Sequence, residues 1–301
     1  MVVGRLAAAA GGTLAAGALG LAYGVAEAQA FTVRRVEVPV LAPGQQPIRV
    51  LHVSDIHLMP YQRRKLGFVS ALADLEPDLV VNTGDNISSP DSIALLARAW
   101  EQLLRVPGVF VFGSNDYSLP KFRNPLRYLA GPSGRRTIPP TSLPVADLRA
   151  MLASHGWIDL NHRRAVLEVA GRTIEARGTD DAHLGRDDYP RVAGPAAPGV
   201  DLAIGVTHAP YLRLLDAMTR DGVDLIFAGH THGGQVCVPG VGALVTNCDL
   251  DTDRVKGLSR HTAKGRTAWL HVSAGVGTSP YAPYRVACRP EVSLLTLVAR
   301  G

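Results

Sequence analysis

Five apolar runs in this chain finish in the same way, on aspartate, histidine or asparagine: "IRVLHVSDIHL", "DLVVNTGDN", "GVFVFGSNDY", "DLAIGVTHAP" and "DLIFAGHTHGG". Each is short and rich in β-branched residues, which reads as a strand. Between them lie segments with helical spacing. "RRKLGFVSALADLEP" repeats its apolar positions at Leu66, Val69, Leu72 and Leu75, and "DSIALLARAWEQLLRV" and "YLRLLDAMTRDG" follow the same rule. Strands alternating with helices form a parallel sheet, and such sheets gather their ligands at the strands' C-terminal ends. The polar residues stand at those ends.

The remaining text completes one α/β domain over residues 31–301. "VADLRAMLASHG" reads as a helix and "RAVLEVAGRTIEARGTDD" as a hairpin turning at "AGR", while "TAWLHVSAGVGTS" and "EVSLLTLVAR" read as strands. Gly131–Pro144, with Arg135 and Arg136, carries too many breakers for a helix. A net charge of +5 is too mild to indicate nucleic acid, but it suits an anionic substrate or lipid surface. Cys237, Cys248 and Cys288 include no CxxC pair and read as buried free thiols, with a Cys237–Cys248 disulfide across a hairpin as the alternative. Residues 1–30 read separately. Leu6 to Val25 is 20 residues without a charge, the length that crosses a bilayer, so the chain is expected to be membrane-associated through an N-terminal anchor. Ala26, Ala28 and Ala30 have signal-peptidase spacing, and cleavage there gives a secreted or periplasm-like location. Arg5, Arg34 and Arg35 flank both ends and leave orientation open.

The strand-end residues are Asp55, His57, Asp85, Asn115, Asp116, His208, His230 and His232. Singly, each has an ordinary explanation as a turn or cap. Converged on one rim, they make a mixed imidazole and carboxylate set that suits borderline divalent metals such as Mn, Fe or Zn. The set exceeds what one ion uses. Two ions about 3.5–4 Å apart, bridged by a carboxylate and a hydroxide, use it fully and catalyse in-line displacement at phosphorus. Gly229, Gly233 and Gly234 give the backbone around His230 and His232 the freedom to send one ring to each ion.

Taken in order, "DIHL", "GDN", "GSND", "THAP" and "GHTHGGQ" resemble the calcineurin-like metallophosphoesterase superfamily. "RGTDDAH", from Arg177 to His183, and "RPEVSLLTL" look like its membrane-associated bacterial branch. The resemblance implies a four-layer α/β/β/α sandwich. It implies that Asp55, His57 and His232 bind one ion, that Asp85 bridges, and that His208 and His230 bind the second. One motif departs. The superfamily's Gly-Asn-His is Gly-Ser-Asn here, so Ser114 stands at the metal-binding asparagine and Asn115 at the histidine that helps the phosphate or leaving group. Asn115 is assigned to the second ion by a one-residue shift, with Ser114 as the alternative.

The expected activity is metal-dependent hydrolysis of a phosphodiester or phosphomonoester, with envelope or lipid-linked phosphates within its range. Asp85, Asn115 and Asp116 form the catalytic group, and Asp116 needs a raised pKa to replace the missing acid. Arg135 and Arg136 are candidates to clamp phosphate, and Asp180 and His183 to line the rim or support the ligands from behind. The competing reading is a metal-binding protein with weak or no turnover. A serine hydrolase is excluded because the chain has no GxSxG elbow. No nucleic-acid or protein partner is indicated.

Overall fold

The computed structural model describes residues 17–122 and 143–301, and Arg135 and Arg136 lie outside them. Two six-stranded sheets carry the fold. The first runs Thr32–Leu41 (β1), Glu291–Ala299 (β14), Ile48–Val53 (β2), Leu79–Asn82 (β3), Gly108–Phe110 (β4) and Ile158–Asp159 (β5). The second runs Gly257–Ala263 (β12), Arg266–Val272 (β13), Leu225–Ala228 (β9), Leu202–Val206 (β8), Arg172–Gly178 (β7) and Arg163–Val169 (β6). A short hairpin, Cys237–Val238 (β10) with Gly242–Ala243 (β11), stands apart from both.

The sheets are mixed rather than wholly parallel. β2 to β5 form one parallel run and β7, β8, β9 and β13 another. Antiparallel pairs β14–β2, β6–β7 and β12–β13 border these runs. β3, β8 and β9 are buried along their whole length, which explains their unbroken apolar sequence. Ala170 and Gly171 turn β6 into β7 with φ of 48° and 72°, the two positive angles that match a two-residue turn to the strands' twist.

Alternating side chains sort into three apolar layers. Val50, Val81 and Val109 meet Ile204, Val206 and Phe227 between the sheets. On the outer face of the first sheet, Leu51, Val53 and Phe110 pack with Val69 of helix α1 (Arg63–Ser70), Leu96 of α2 (Ser92–Ala99) and Leu148 of α4 (Val145–Ser154). α3 is the single turn Ser114–Tyr117. On the outer face of the second sheet, Ile226, Leu270 and Val272 pack with Leu214, Leu215 and Met218 of α5 (Leu212–Arg220). The order is therefore helices, sheet, sheet, helix. Each Leu or Phe removed from water in these layers contributes about 1.5–3 kcal/mol.

The elements depart in detail from the sequence pattern. The helix read through Leu75 ends at Ser70 and continues as the 3₁₀ turn Ala71–Leu75, which Glu76 closes with φ of 47°. β1 is a further strand, with buried residues alternating at Val38 and Val40. Pro39 obscured it, yet a proline is tolerated where a strand needs no ladder donor. At the N-terminus, residues 17–27 are helical, and 6–16 of the Leu6–Val25 stretch lie outside the described residues. No helix among the described residues is long and apolar enough to cross a membrane.

Candidate metal centre

The loops that follow β2, β3, β4, β8 and β9 converge. Asp55 and His57 follow β2, Asp85 follows β3, Asn115 and Asp116 follow β4, His208 follows β8, and His230 and His232 follow β9. Backbone pairs hold the first two loops together, because the His57 amide donates to Asp85 O and the Asp55 amide donates to Gly84 O, both at 2.9 Å. The local conformations are unusual. Asp55, His57, Asp85, His230 and His232 all have φ between 46° and 70°. Left-handed backbone at a residue other than glycine is uncommon, and strain of this kind persists where the surrounding fold enforces it, often at functional sites.

Ligand-type atoms fall into two groups, one of Asp55, His57 and His232 and one of Asp55, Asp85 and His208, each with its atoms within 4.8 Å of one another. Nε2 of His57 lies 3.3 Å from Nε2 of His232. Asp85 Oδ2 lies 3.5 Å from Nε2 of both His57 and His208, and Asp55 Oδ1 lies 3.6 Å from Nε2 of His232. Two atoms bonded to one ion at about 2.0–2.2 Å stand roughly 3–3.6 Å apart. Asp55 Oδ1 and His208 Nε2 are among the buried polar atoms without a hydrogen-bond partner, and both belong to the ligand-type groups.

Outer contacts aim the rings. His208 Nδ1 donates to Thr83 O at 2.7 Å and His232 Nδ1 to Gly277 O at 3.2 Å, so both turn Nε2 to the centre. His230 is reversed. Its Nε2 reaches Asn247 O at 3.3 Å, which leaves Nδ1 as its inward atom, and its ring centroid lies 5.2 Å from that of His208. Burial lowers His57 to about 4 and holds His230 and His232 well below the ordinary histidine range, so these rings are neutral. His208 behaves otherwise. Burial opposes its charge, but the neighbouring Asp85 carboxylate raises it well above the ordinary value, and Asp85 is lowered in return by His208 despite its own burial. Asp55 is raised by burial to about 6. An imidazole and carboxylate set with unpartnered inward atoms fits divalent cations.

Asn115 lies against Asp85, donating from its backbone to Oδ1 at 2.7 Å and from Nδ2 to Oδ2 at 2.6 Å. Ser114 Oγ is 3.4 Å from that Nδ2. Asp116 turns away from the ligands. Its Oδ2 accepts from the amides of Asp85 at 2.8 Å and Gly113 at 3.1 Å, and its Oδ1 from the Asn86 amide at 2.7 Å. Burial, with the Asp85 charge nearby, raises it to about 7. His183 packs its ring 4.4 Å from that of His230. Asp180 accepts from Tyr117 at 2.8 Å and Arg186 at 2.7 Å.

The glycines act by proximity as well as by flexibility. A Cβ on Gly113 would stand 2.3 Å from Asp85 Oδ1 and 2.5 Å from His208 Cε1, and one on Gly229 would stand 2.5 Å from Asp55 Oδ2. Gly233 and Gly234 do supply positive φ, at 60° and 82°. All three cysteines are free and buried. The neighbour of Cys237 behind this turn is Cys288 rather than Cys248, since both thiols donate to Gly233 O, at 3.2 and 3.3 Å.

Two supporting residues were not legible beforehand. Arg285 is fully buried and donates to Gly277 O and Ala274 O at 2.7 Å and to His232 O at 3.2 Å, tying the His232 turn to the loop after β13. Lys65 donates to Ile56 O at 2.7 Å from beneath the His57 loop, and burial lowers its amine to about 7. Neither sits in a motif.

The calcineurin-like phosphoesterase family model matches residues 48–234, the span that holds every ligand candidate. The chain belongs to this family. Among curated relatives, this metallophosphoesterase is 27% identical to the Escherichia coli K12 phosphodiesterase YaeI, covering 84% of this chain and 83% of that one. It is also 27% identical to the uncharacterized metallophosphoesterase YkoQ of Bacillus subtilis, covering 83% and 84%. A transmembrane protein with a metallophosphoesterase domain from Bos taurus is 28% identical over 90% of this chain and 58% of its own length. The metallophosphoesterase is thereby a hydrolase of phosphate esters, with candidate ligand groups for divalent metal.

Proposed function

We propose that the protein hydrolyses phosphodiesters or phosphomonoesters with two divalent cations, Mn, Fe or Zn. Asp55, His57 and His232 would hold one, His208, His230 and Asn115 the other, with Asp85 shared. The facing Nε2 atoms of His57 and His232 support this reading, because 3.3 Å is the separation that two ligand atoms of one cation adopt. When bound, such cations act as Lewis acids toward the phosphoryl oxygens and lower the pKa of water. The chain's own part is to orient. Asp85 meets His57 on one side and His208 on the other, Asn115 fixes both oxygens of Asp85, and Asp116 pins the backbone that presents it.

Asp116 is a positioning residue in this reading, since its oxygens are spent on backbone amides. No side chain of the "GSND" loop is then free to protonate the leaving group, so substrates with good leaving groups are preferred. Residues 1–30 serve as the membrane anchor and 31–301 as the catalytic domain, in keeping with the transmembrane naming of the bovine relative. Metal analysis combined with a panel of activated aryl diesters and monoesters tests the reading. Turnover that needs manganese and vanishes in Asp85→Ala is expected. Wild-type rates in that variant, or purified protein that binds no divalent metal, would refute it.

A further inference from the structure

The helical segment 17–27 carries no charge before Glu27, yet Leu19 is 72% exposed, and Leu21, Tyr23 and Val25 are exposed with it. A helix apolar on every side needs an apolar cover. The sequence before it stays uncharged back to Arg5. Its C-terminal end is fixed to the body. Gly24 O accepts from the Arg285 amide at 2.9 Å, and the buried Glu27 carboxylate accepts from the amides of Ala287 at 3.1 Å and Cys288 at 2.6 Å.

From that junction an apolar surface continues along the loops that build the metal centre. Val286 pairs with Val236, four residues past His232, and leads into the β10–β11 hairpin. There Val241 is 73% exposed, with Val238 and Leu244 also exposed. Gln235 Nε2 donates to Ala282 O and Tyr284 O at 3.1 Å and so holds the adjacent loop, which carries exposed Tyr281. The Tyr281 ring meets exposed Phe122, seven residues past Asn115, at 6.2 Å between centroids. Lys121 and Arg289 are exposed beside these groups. Apolar tips next to basic residues match a bilayer surface with anionic headgroups.

We infer that the β10–β11 hairpin, with Tyr281 and Phe122, docks on an anionic lipid bilayer beside the point where the N-terminal helix leaves the body. The helix explains the choice of occupant. An uncharged stretch of 20 residues has the length of a bilayer crossing, and whatever covers it also lies against the hairpin at its foot. The inference is independent of the phosphoester reading.

Vesicles of phosphatidylcholine with roughly one lipid in four phosphatidylglycerol, carrying brominated acyl chains, provide the probe for the full chain. Val241→Trp places a reporter on the hairpin. Val166→Trp places one on exposed β6, at the edge of the second sheet opposite β12. Relative to unsubstituted protein, the emission added at position 241 should fall by roughly half on vesicle binding and that at 166 should not change. The inference is overturned if the 241 reporter stays unquenched while the protein sediments with vesicles, or if both reporters are quenched alike. It is equally overturned if the 241 signal shifts with protein concentration before any lipid is added, which would assign the face to a second copy. Hydrolysis of a soluble aryl phosphodiester by the same preparation reports the metal centre separately.

Discussion

His57 and His232, from opposite halves of the chain, stack their rings at 5.1 Å between centroids and bring their Nε2 atoms to 3.3 Å. A cation held between rings so placed binds the folded chain and not the unfolded one, so metal removal should destabilise the fold. Chelated protein should melt about 5–10 °C lower than protein with metal at a hundredfold excess over Kd, equivalent to about 3 kcal/mol. His232→Ala should lower the melting point of the metal-loaded protein to near that of the chelated one. Scanning calorimetry with and without added manganese measures both.

Gly113 lies where a methyl group would strike Asp85 and His208 together. Gly113→Ala should cost about 1–3 kcal/mol of stability through overpacking and reduce bound metal at the same time. Urea unfolding and elemental analysis of one preparation test the pair. A variant with full metal content would show that the two ligands relax freely.

Asp116 holds the amides of Asp85 and Asn86 from behind. Asp116→Ala should remove about 1–3 kcal/mol through unsatisfied buried amides. It should lower kcat more than KM, because it shifts a ligand rather than a substrate contact. The kcat and KM of the variant on an aryl diester decide this.

Asn115 stands where the superfamily's histidine would assist departure of the leaving group. The wild-type protein should therefore show a steep dependence of kcat on leaving-group pKa, with alkyl esters disfavoured by about 10²–10⁴ relative to an enzyme with a positioned acid. Rates across a series of substituted aryl and alkyl phosphates give the slope. A flat slope would reveal an acid elsewhere in the site.

His52 and His271 meet Nδ1 to Nδ1 at 2.8 Å between the sheets. Burial lowers His52 well below the ordinary value and His271 to about 4. Unfolded chains bind protons near 6.5 that the folded pair refuses, so stability is lost as pH falls from about 6.5 to 4, by roughly 3 kcal/mol for His271. His271→Asn removes that titration. Its urea midpoint should fall less than that of wild type between pH 7 and 5.

The strand ends and the ligand types were legible because an apolar run that stops on Asp or His is a local pattern. Asp55, His57, Asp85, His208 and His232 are recognisable in four short stretches, and the structure gathers those stretches on one rim. What was hidden is non-local. Nothing near Arg285 in sequence announces that its guanidinium lies under His232, and Asp116 reads as a catalytic acid until its oxygens are seen facing backbone amides. β1 was hidden by a proline that its position tolerates, and the antiparallel pairs that border each parallel run have no signature of their own.

The place of β14 has a consequence for biosynthesis. It lies between β1 and β2, so the strand leading to Asp55 keeps an open edge until residues 291–299 have been made and have paired. A chain that stops short of residue 291 cannot complete the first sheet, and truncation within this strand should leave a product that holds divalent metal poorly. Metal content therefore reports that translation reached β14.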